Sequence, residues 1–155
     1  MSRALETAGM IAAPHQLTVN QLVELRELNL GMWEGLTFQE IAARYNDLAD
    51  LWYTSPSRLK IPGGETFAEL KERAYQTVLR LVTRHPEETI ALVTHGGTIR
   101  TIICAVLGLD LDKVWCIQQD NTAVNIINFY DTKTVITLLN DTNHLQQNGK
   151  ISTSG

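Results

Sequence analysis

One short segment of this sequence combines residue types that could do chemistry, namely LVTHGGT at 92–98. The apolar run 90–93 is typical of a central strand covered on both faces, and apolar residues at helical spacing follow the glycines. His95 would then stand at the carboxyl end of a strand, where open α/β sheets bind ligands. The helix start offers N–H groups to a phosphate, and imidazole can act as a cation or as an acid and base. A glycine-rich turn with an incidental histidine explains the pattern equally well.

A second chemical candidate is Glu27, within LRELNLGMWEG at 25–35. It lies between apolar residues near the end of a predicted extended stretch at 22–28. A partly buried carboxylic acid in that position can donate a proton to a leaving oxygen. Periodicity alone favours the alternative, which is a solvated charge on an edge strand.

Helical spacing and helix-capping residues indicate the elements that must position these side chains. Thr37 and Glu40 form one predicted capping box, and Thr66 and Glu69 form another. The predicted helices cover 3–13, 38–45, 67–83 and the residues from His95 to a C-cap at Gly108. The predicted strands cover 22–28, 90–93, 122–130 and 134–139, the last two as a hairpin, and 54–64 is a loop. Helices alternating with strands indicate an α/β fold.

Four stretches occur in an order that resembles the histidine phosphatase superfamily, also called phosphoglycerate mutase-like. They are SRALETA at 2–8, LRELNLGMWEG at 25–35, PGGETFAELKERA at 62–74 and LVTHGGTIR at 92–100. The resemblance covers about residues 2–145 and implies a three-layer α/β/α fold. The short interval between Glu27 and His95 is similar to that of the compact phosphatase branch, and the α-ribazole phosphatases are its nearest likeness.

The resemblance implies a metal-independent phosphatase without a cofactor, acting on a small phosphorylated metabolite through a phosphohistidine intermediate. Arg3 is similar to the family's phosphate-binding arginine, and Glu27 to its proton donor. His95 is similar to the second histidine, which holds the transferring phosphoryl group beside the Gly96 amide. Preorganised cations and amides of this kind stabilise charge that spreads over phosphoryl oxygens.

One departure from the family pattern concerns its Arg-His-Gly motif, which carries the nucleophile. The sequence has no such triplet, and its single Arg-His pair, Arg84-His85, is followed by Pro86. The chain begins with residues that match the middle of the family pattern. The resemblance therefore implies an N-terminally truncated chain with an incomplete sheet that lacks the first central strand. We expect an exposed sheet edge, through which such a chain could self-associate.

Three alternatives stay open at this point. One is a noncatalytic remnant or anion-binding module that keeps Arg3 and His95. Another is phosphotransfer of the phosphoglycerate mutase type. A third is an unrelated α/β nucleotide-binding protein that uses Gly96 and Gly97 as a phosphate turn.

Composition excludes several other classes of function. With 13 Lys and Arg against 17 Asp and Glu, the 155-residue chain has no basic excess for nucleic acid or a membrane surface. Its four histidines and two cysteines lack zinc-site spacing, so we expect no metal, and Cys104 and Cys116 are expected to be small buried apolar residues. No signal peptide or membrane span is evident, which favours the cytoplasm. We expect one domain at 1–145 and a polar tail at 146–155.

Overall fold

Six α-helices and one two-stranded sheet make up the regular structure of residues 2–146, the part of the chain that the computed structural model describes. The helices are α1 (Ser2–Ala12), α2 (Phe38–Arg44), α3 (Asn46–Thr54), α4 (Phe67–Arg84), α5 (Gly96–Leu107) and α6 (Asn143–Gln146). The strands are β1 (Val124–Tyr130) and β2 (Lys133–Asp141). Short 3-10 helices lie at Ala13–His15, Val23–Leu25, Gly31–Trp33, Pro56–Arg58 and Leu111–Cys116. The chain divides into two units, residues 1–117 and residues 118–155.

Helix α4 begins at the capping box that the sequence predicts. Thr66 Oγ1 accepts the N–H of Glu69 at 3.2 Å, and a Glu69 carboxylate oxygen accepts the N–H of Thr66 at 2.8 Å. Two backbone donors that the helix itself cannot satisfy are thereby paired. The buried face of the helix consists of Phe67, Leu70, Ala74, Thr77 and Val78. Burying a side chain the size of Leu70 contributes about 1.5–3 kcal/mol, so this face anchors the first unit.

An aromatic cluster completes the core around α3 and α4. The ring centroid of Trp52 lies 6.0 Å from that of Trp33, 5.6 Å from that of Phe67 and 4.9 Å from that of Trp115. Trp115 Nε1 donates to the carbonyl of Trp52, which ties the 3-10 helix at 111–116 to α3. Trp52 is therefore a packing residue, whereas its neighbour Tyr53 is 59% exposed.

Two strands predicted in the first unit are wrong. Residues 90–93 form no strand, and no backbone hydrogen bond joins residues 89–94 to any other described residue. Residues 22–28 instead contain the 3-10 helix Val23–Leu25 between irregular stretches. Ala91 and Leu92 are exposed, so the run is not covered on both faces. An apolar run records a tendency to be buried, but a strand also needs a neighbour to pair with, and none of the described residues supplies one.

The predicted hairpin is confirmed in the second unit. Strands β1 and β2 pair antiparallel, with Tyr130 opposite Lys133 and Ile127 opposite Ile136. The connection is Asp131 and Thr132, one residue shorter than the predicted break at 131–133, because Lys133 pairs with Tyr130. The single domain at 1–145 stays a prediction, and the predicted polar tail lies outside the described residues after Gln146.

The two cysteines differ in burial. Cys104 is fully buried on α5, and burial raises the pKa of its thiol. Cys116 is exposed, which corrects the expectation that both are buried. The 3-10 helix at 111–116 turns Val114 inward and leaves Cys116 outside.

Residues 2–146 contain no helix long and apolar enough to cross a membrane. They also contain no group of three or more His, Cys, Asp and Glu side chains that could hold a metal ion.

Candidate active site

Arg3 and His95 meet at the N-terminus of α5. Arg3 lies in the first turn of α1, and its Nη2 is 3.5 Å from Nδ1 of His95. His95 is the N-cap residue of α5 and is only 9% exposed. A guanidinium can only donate, so in this contact Nδ1 accepts and the proton of the neutral ring is on Nε2. One arginine and one imidazole N–H therefore face the same helix terminus.

Glu27 is bound to the same helix terminus through its carboxylate. Its Oε2 accepts the N–H of Gly97 and its Oε1 accepts the N–H of Thr98, both at 3.0 Å. The positive end of the helix dipole and its unpaired amides favour a negative group at this place. The N–H of Gly96 has no partner among the described residues, whereas Glu27 accepts the N–H groups of the next two residues. One helix amide is thus left for another anion.

The absence of a side chain at Gly97 lets Glu27 approach the helix. A Cβ on Gly97 would lie 2.6 Å from Oε1 and 3.3 Å from Oε2 of Glu27. Such distances are closer than van der Waals contact, so any larger residue would push the carboxylate away. The close approach explains why a chemical role for Glu27 depends on the second glycine of the HGG motif.

The ionisation of His95 responds to three features of the site. Burial lowers the pKa of its imidazole, the nearby Glu27 carboxylate raises it, and the Arg3 guanidinium lowers it again. The net direction is downward from 6.5, so the neutral ring is the form that the folded protein favours. Because the pKa of His95 is lower in the folded state than in the unfolded state, the contribution of the neutral ring to folding stability is complete above the unfolded-state pKa. It is lost as the pH falls through the folded pKa.

Removing the charge of Arg3 and removing that of Glu27 should shift the pKa of His95 in opposite directions. Arg3→Ala is expected to raise it, because a repelling positive charge is lost, and Glu27→Gln is expected to lower it further, because an attracting negative charge is lost. The imidazole proton resonances, followed by NMR across the pH range, measure both shifts. Arg84→Ala, which removes an exposed arginine at the end of α4, is the matched control and should leave the pKa of His95 unchanged. Shifts of the same sign in the two site variants would contradict the assigned geometry.

The three charged or titratable residues that the sequence singles out are therefore brought together, with Gly96 beside them. The other histidines of the first unit lie elsewhere: His15 is exposed after α1, and His85 is bound to Glu88 at 3.0 Å past the end of α4. Neither contacts Arg3 or His95. The described residues of this unit thus offer His95 as the one imidazole at the site.

Sequence reasoning missed two residues that support the site, Glu65 and Arg73. Arg73 Nε and Glu65 Oε1 are 2.5 Å apart, and both side chains are largely buried. Both residues belong to the stretch at 62–74, whose evident sequence features are the family resemblance and the helix cap. A signal was present, because Arg73 falls between Leu70 and Ala74, two buried positions of α4. A charged residue beside an apolar stripe indicates a buried partner.

Comparison with known proteins identifies the chain. The family model described as histidine phosphatase superfamily (branch 1) matches residues 1–142. Phosphoserine phosphatase 1 of Hydrogenobacter thermophilus is 31% identical over 145 residues, which cover 94% of this chain and 69% of that protein. The structure of Bacillus stearothermophilus YhfR is 32% identical, with a TM-score of 0.88 over 92% of this chain and 71% of that one.

A more distant structure agrees in fold. The α-ribazole phosphatase of Shigella flexneri is 22% identical, with a TM-score of 0.79 over 91% of this chain and 70% of that one. The predicted α/β, phosphoglycerate mutase-like fold class is confirmed by these likenesses. The chain belongs to the histidine phosphatase superfamily, branch 1, and is by that membership an enzyme of the phosphatase type.

Proposed function

We propose that Arg3, His95 and the Gly96 amide bind the phosphoryl group of a phosphomonoester, and that Glu27 protonates the leaving oxygen. The observation that carries the proposal is the meeting of a guanidinium, an imidazole and an unpaired helix amide at the start of α5. Charge develops on phosphoryl oxygens during transfer, and fixed cations and amides stabilise it without reorganisation. Family membership supports the same reading of these residues.

The reaction proposed is a two-step transfer that needs no metal ion. In the first step a nucleophilic histidine forms an N–P bond while the ester P–O bond breaks. Glu27, which enters this step in its protonated form, gives its proton to the departing oxygen. In the second step water attacks the phosphohistidine, so that an O–P bond forms and the N–P bond breaks. The proton of the attacking water returns to Glu27, and inorganic phosphate leaves. Arg3 and His95 hold the phosphoryl oxygens through both steps.

The nucleophile of this reaction comes, in our proposal, from an Arg-His-Gly segment that these 155 residues do not include. No Arg-His-Gly triplet occurs in the sequence, and the chain spans about 70% of the length of the relatives compared above. The unpaired backbone of residues 89–94 offers such a segment an edge to pair with, directly before His95. The expected self-association of the chain alone rests on the same edge and stays a prediction.

The substrate class we infer is a small phosphorylated metabolite. The relative from Hydrogenobacter thermophilus is named for phosphoserine, and its 31% identity favours a compact phosphomonoester of that kind. The more distant α-ribazole phosphatase supports the branch and the fold but selects no substrate. A cytoplasmic location remains a prediction from the sequence.

A second candidate function is binding of a phosphorylated ligand without turnover. It is favoured by one observation, namely that the first unit, over its described residues, places no second histidine against His95. The two candidates share the anion site and differ in the release of phosphate.

Release of p-nitrophenol from its phosphate tests the proposal. Residues 1–155 alone are expected to show no turnover. The same chain joined to an Arg-His-Gly segment of the family pattern is expected to hydrolyse the substrate. A control fusion, in which the histidine of that segment is replaced by alanine, should be inactive. Turnover by the chain alone that His95→Ala abolishes would contradict the assignment of the nucleophile. Failure of the joined chain to turn over, with phosphate still bound, would favour the binding function.

A further inference from the structure

Arg73 on α4 uses every donor of its guanidinium inside the first unit. Nε and Nη2 donate to the two carboxylate oxygens of Glu65, at 2.5 and 2.7 Å. Nη1 donates to the backbone carbonyls of Glu24 and Arg26, and Nη2 also donates to that of Glu27 at 3.1 Å. A guanidinium has five N–H groups, and these five bonds employ all of them. The arginine side chain is 17% exposed and that of Glu65 is 11% exposed.

The carbonyls of residues 24–27 are held by side chains and not by a neighbouring strand. Arg73 binds three of them, and Thr94 Oγ1 donates to the fourth. Thr98 Oγ1 donates to one of the three as well, at 2.9 Å. Residues 26–28 belong to no helix or strand, so these bonds determine where the backbone of Glu27 lies.

We propose that Arg73 is a positioning residue for the Glu27 carboxylate, and that Glu65 holds the guanidinium in place. Arg73 fixes the backbone of Glu27, while the amides of Gly97 and Thr98 fix its carboxylate. The catalytic meaning of this arrangement rests on the proposed function, in which Glu27 is the proton donor. Without Arg73, the backbone at Glu27 would relax and the carboxylate would leave the helix amides.

Arginine suits this position because its donors lie in one rigid fork. The fork meets a carboxylate with two parallel bonds and still reaches three carbonyls, whereas a lysine ammonium is a single point charge with three donors. Arg73→Lys therefore keeps the positive charge but leaves carbonyls of a partly buried segment without their donors, which is costly. Glu65→Gln keeps the shape of the partner but removes the charge that orients the guanidinium.

Backbone amide shifts provide a readout that is independent of catalysis. The N–H groups of Gly97 and Thr98 donate to the Glu27 carboxylate, so their NMR resonances should follow its ionisation as the pH changes. Glu27→Gln removes the ionisable group and should abolish this response. This variant is therefore the reference for complete loss of the pH response of these amides in the folded chain.

The test compares three variants in the chain as it exists. Arg73→Lys is expected to lose most of the pH response of both amides, and Glu65→Gln part of it. Arg80→Lys makes the same substitution two turns along α4, where Arg80 is exposed and donates to Thr77 Oγ1. This variant should keep the response. A full response in Arg73→Lys and Glu65→Gln would overturn the proposal. If Arg73→Lys does not fold, Glu65→Gln alone decides, with loss supporting and retention overturning it.

A kinetic arm separates this inference from the proposed function. In the chain joined to an Arg-His-Gly segment, misplacing the proton donor should slow alkyl phosphates by roughly tenfold to a hundredfold. The effect on p-nitrophenyl phosphate should be much smaller, and Glu65→Gln should reproduce the same pattern. Loss of the amide response in a protein that never turns over would support the positioning role while the proposed function fails. An intact amide response in variants that still turn over would support the proposed function while the positioning role fails.

Discussion

Replacing Glu27 by glutamine is expected to slow hydrolysis of an alkyl phosphate by roughly 10²–10⁴-fold, the usual contribution of general acid catalysis. Hydrolysis of p-nitrophenyl phosphate should slow far less. An alkoxide leaves only when it is protonated, whereas p-nitrophenolate is stable without a proton. Glutamine keeps the size of the side chain but has no proton to transfer. The ratio of kcat/KM for the two substrates, measured on the chain joined to an Arg-His-Gly segment, reports this difference.

A neighbouring carboxylate serves as the control for this experiment. Glu34 lies in the same loop, is exposed, and accepts the N–H of Leu30 at 3.3 Å. Glu34→Gln should leave the ratio of the two substrates unchanged. If Glu27→Gln slows both substrates equally, Glu27 is not the proton donor, and Glu34 or a residue of the joined segment becomes the candidate.

Replacing Arg3 by alanine is expected to lower kcat/KM by roughly a hundredfold or more, and by the same factor for both substrates. Arg3 faces the phosphoryl group and not the leaving oxygen, so the nature of the leaving group should not matter. His95→Ala should impair both substrates alike for the same reason. Steady-state kinetics on alkyl and p-nitrophenyl phosphates measures the two losses.

Arg44→Ala is the matched substitution outside the site. Arg44 lies at the end of α2, is exposed, and pairs with Glu40 at 4.0 Å. Its removal should leave kcat/KM near the starting value. An Arg3→Ala variant that behaves like Arg44→Ala would exclude Arg3 from phosphate binding.

The elements that could be predicted from the sequence are those with local signals. The capping boxes at Thr37 and Thr66 begin α2 and α4 as expected, and Gly108 ends α5 with a φ of +65°. The hairpin follows from β-branched runs around a polar pair. In each case the residues that define the element lie within a few positions of one another, so neighbouring side chains contain the necessary information.

The elements that could not be predicted depend on partners far along the chain. The run at 90–93 has the composition of a strand, but whether it pairs is decided by residues elsewhere. Arg73, which is paired with Glu65, binds the carbonyls of a loop more than forty positions away, at 24–27. Helix α3 begins without a side-chain cap, so its start has no local signal in the sequence. Nonlocal contacts of these kinds leave little trace in local patterning.

The candidate site, too, could be predicted only in part from the sequence. The position of His95 at a helix start follows from its own segment, and the resemblance added Arg3 and Glu27. The sequence indicated that the helix amides would receive phosphate. The structure instead bonds Gly97 and Thr98 to the Glu27 carboxylate, which leaves the Gly96 amide for the ligand.

The central claim, that Arg3, His95 and the Gly96 amide bind a phosphoryl group, is tested most directly with inorganic phosphate and the chain itself. A phosphate dianion beside His95 stabilises the imidazolium and should raise the pKa of His95 in a saturable manner, as followed by NMR. Arg3→Ala should weaken this response, and exposed His85, bound to Glu88, is the internal control. A pKa of His95 that phosphate leaves unchanged, or that rises equally in Arg3→Ala, would contradict the account.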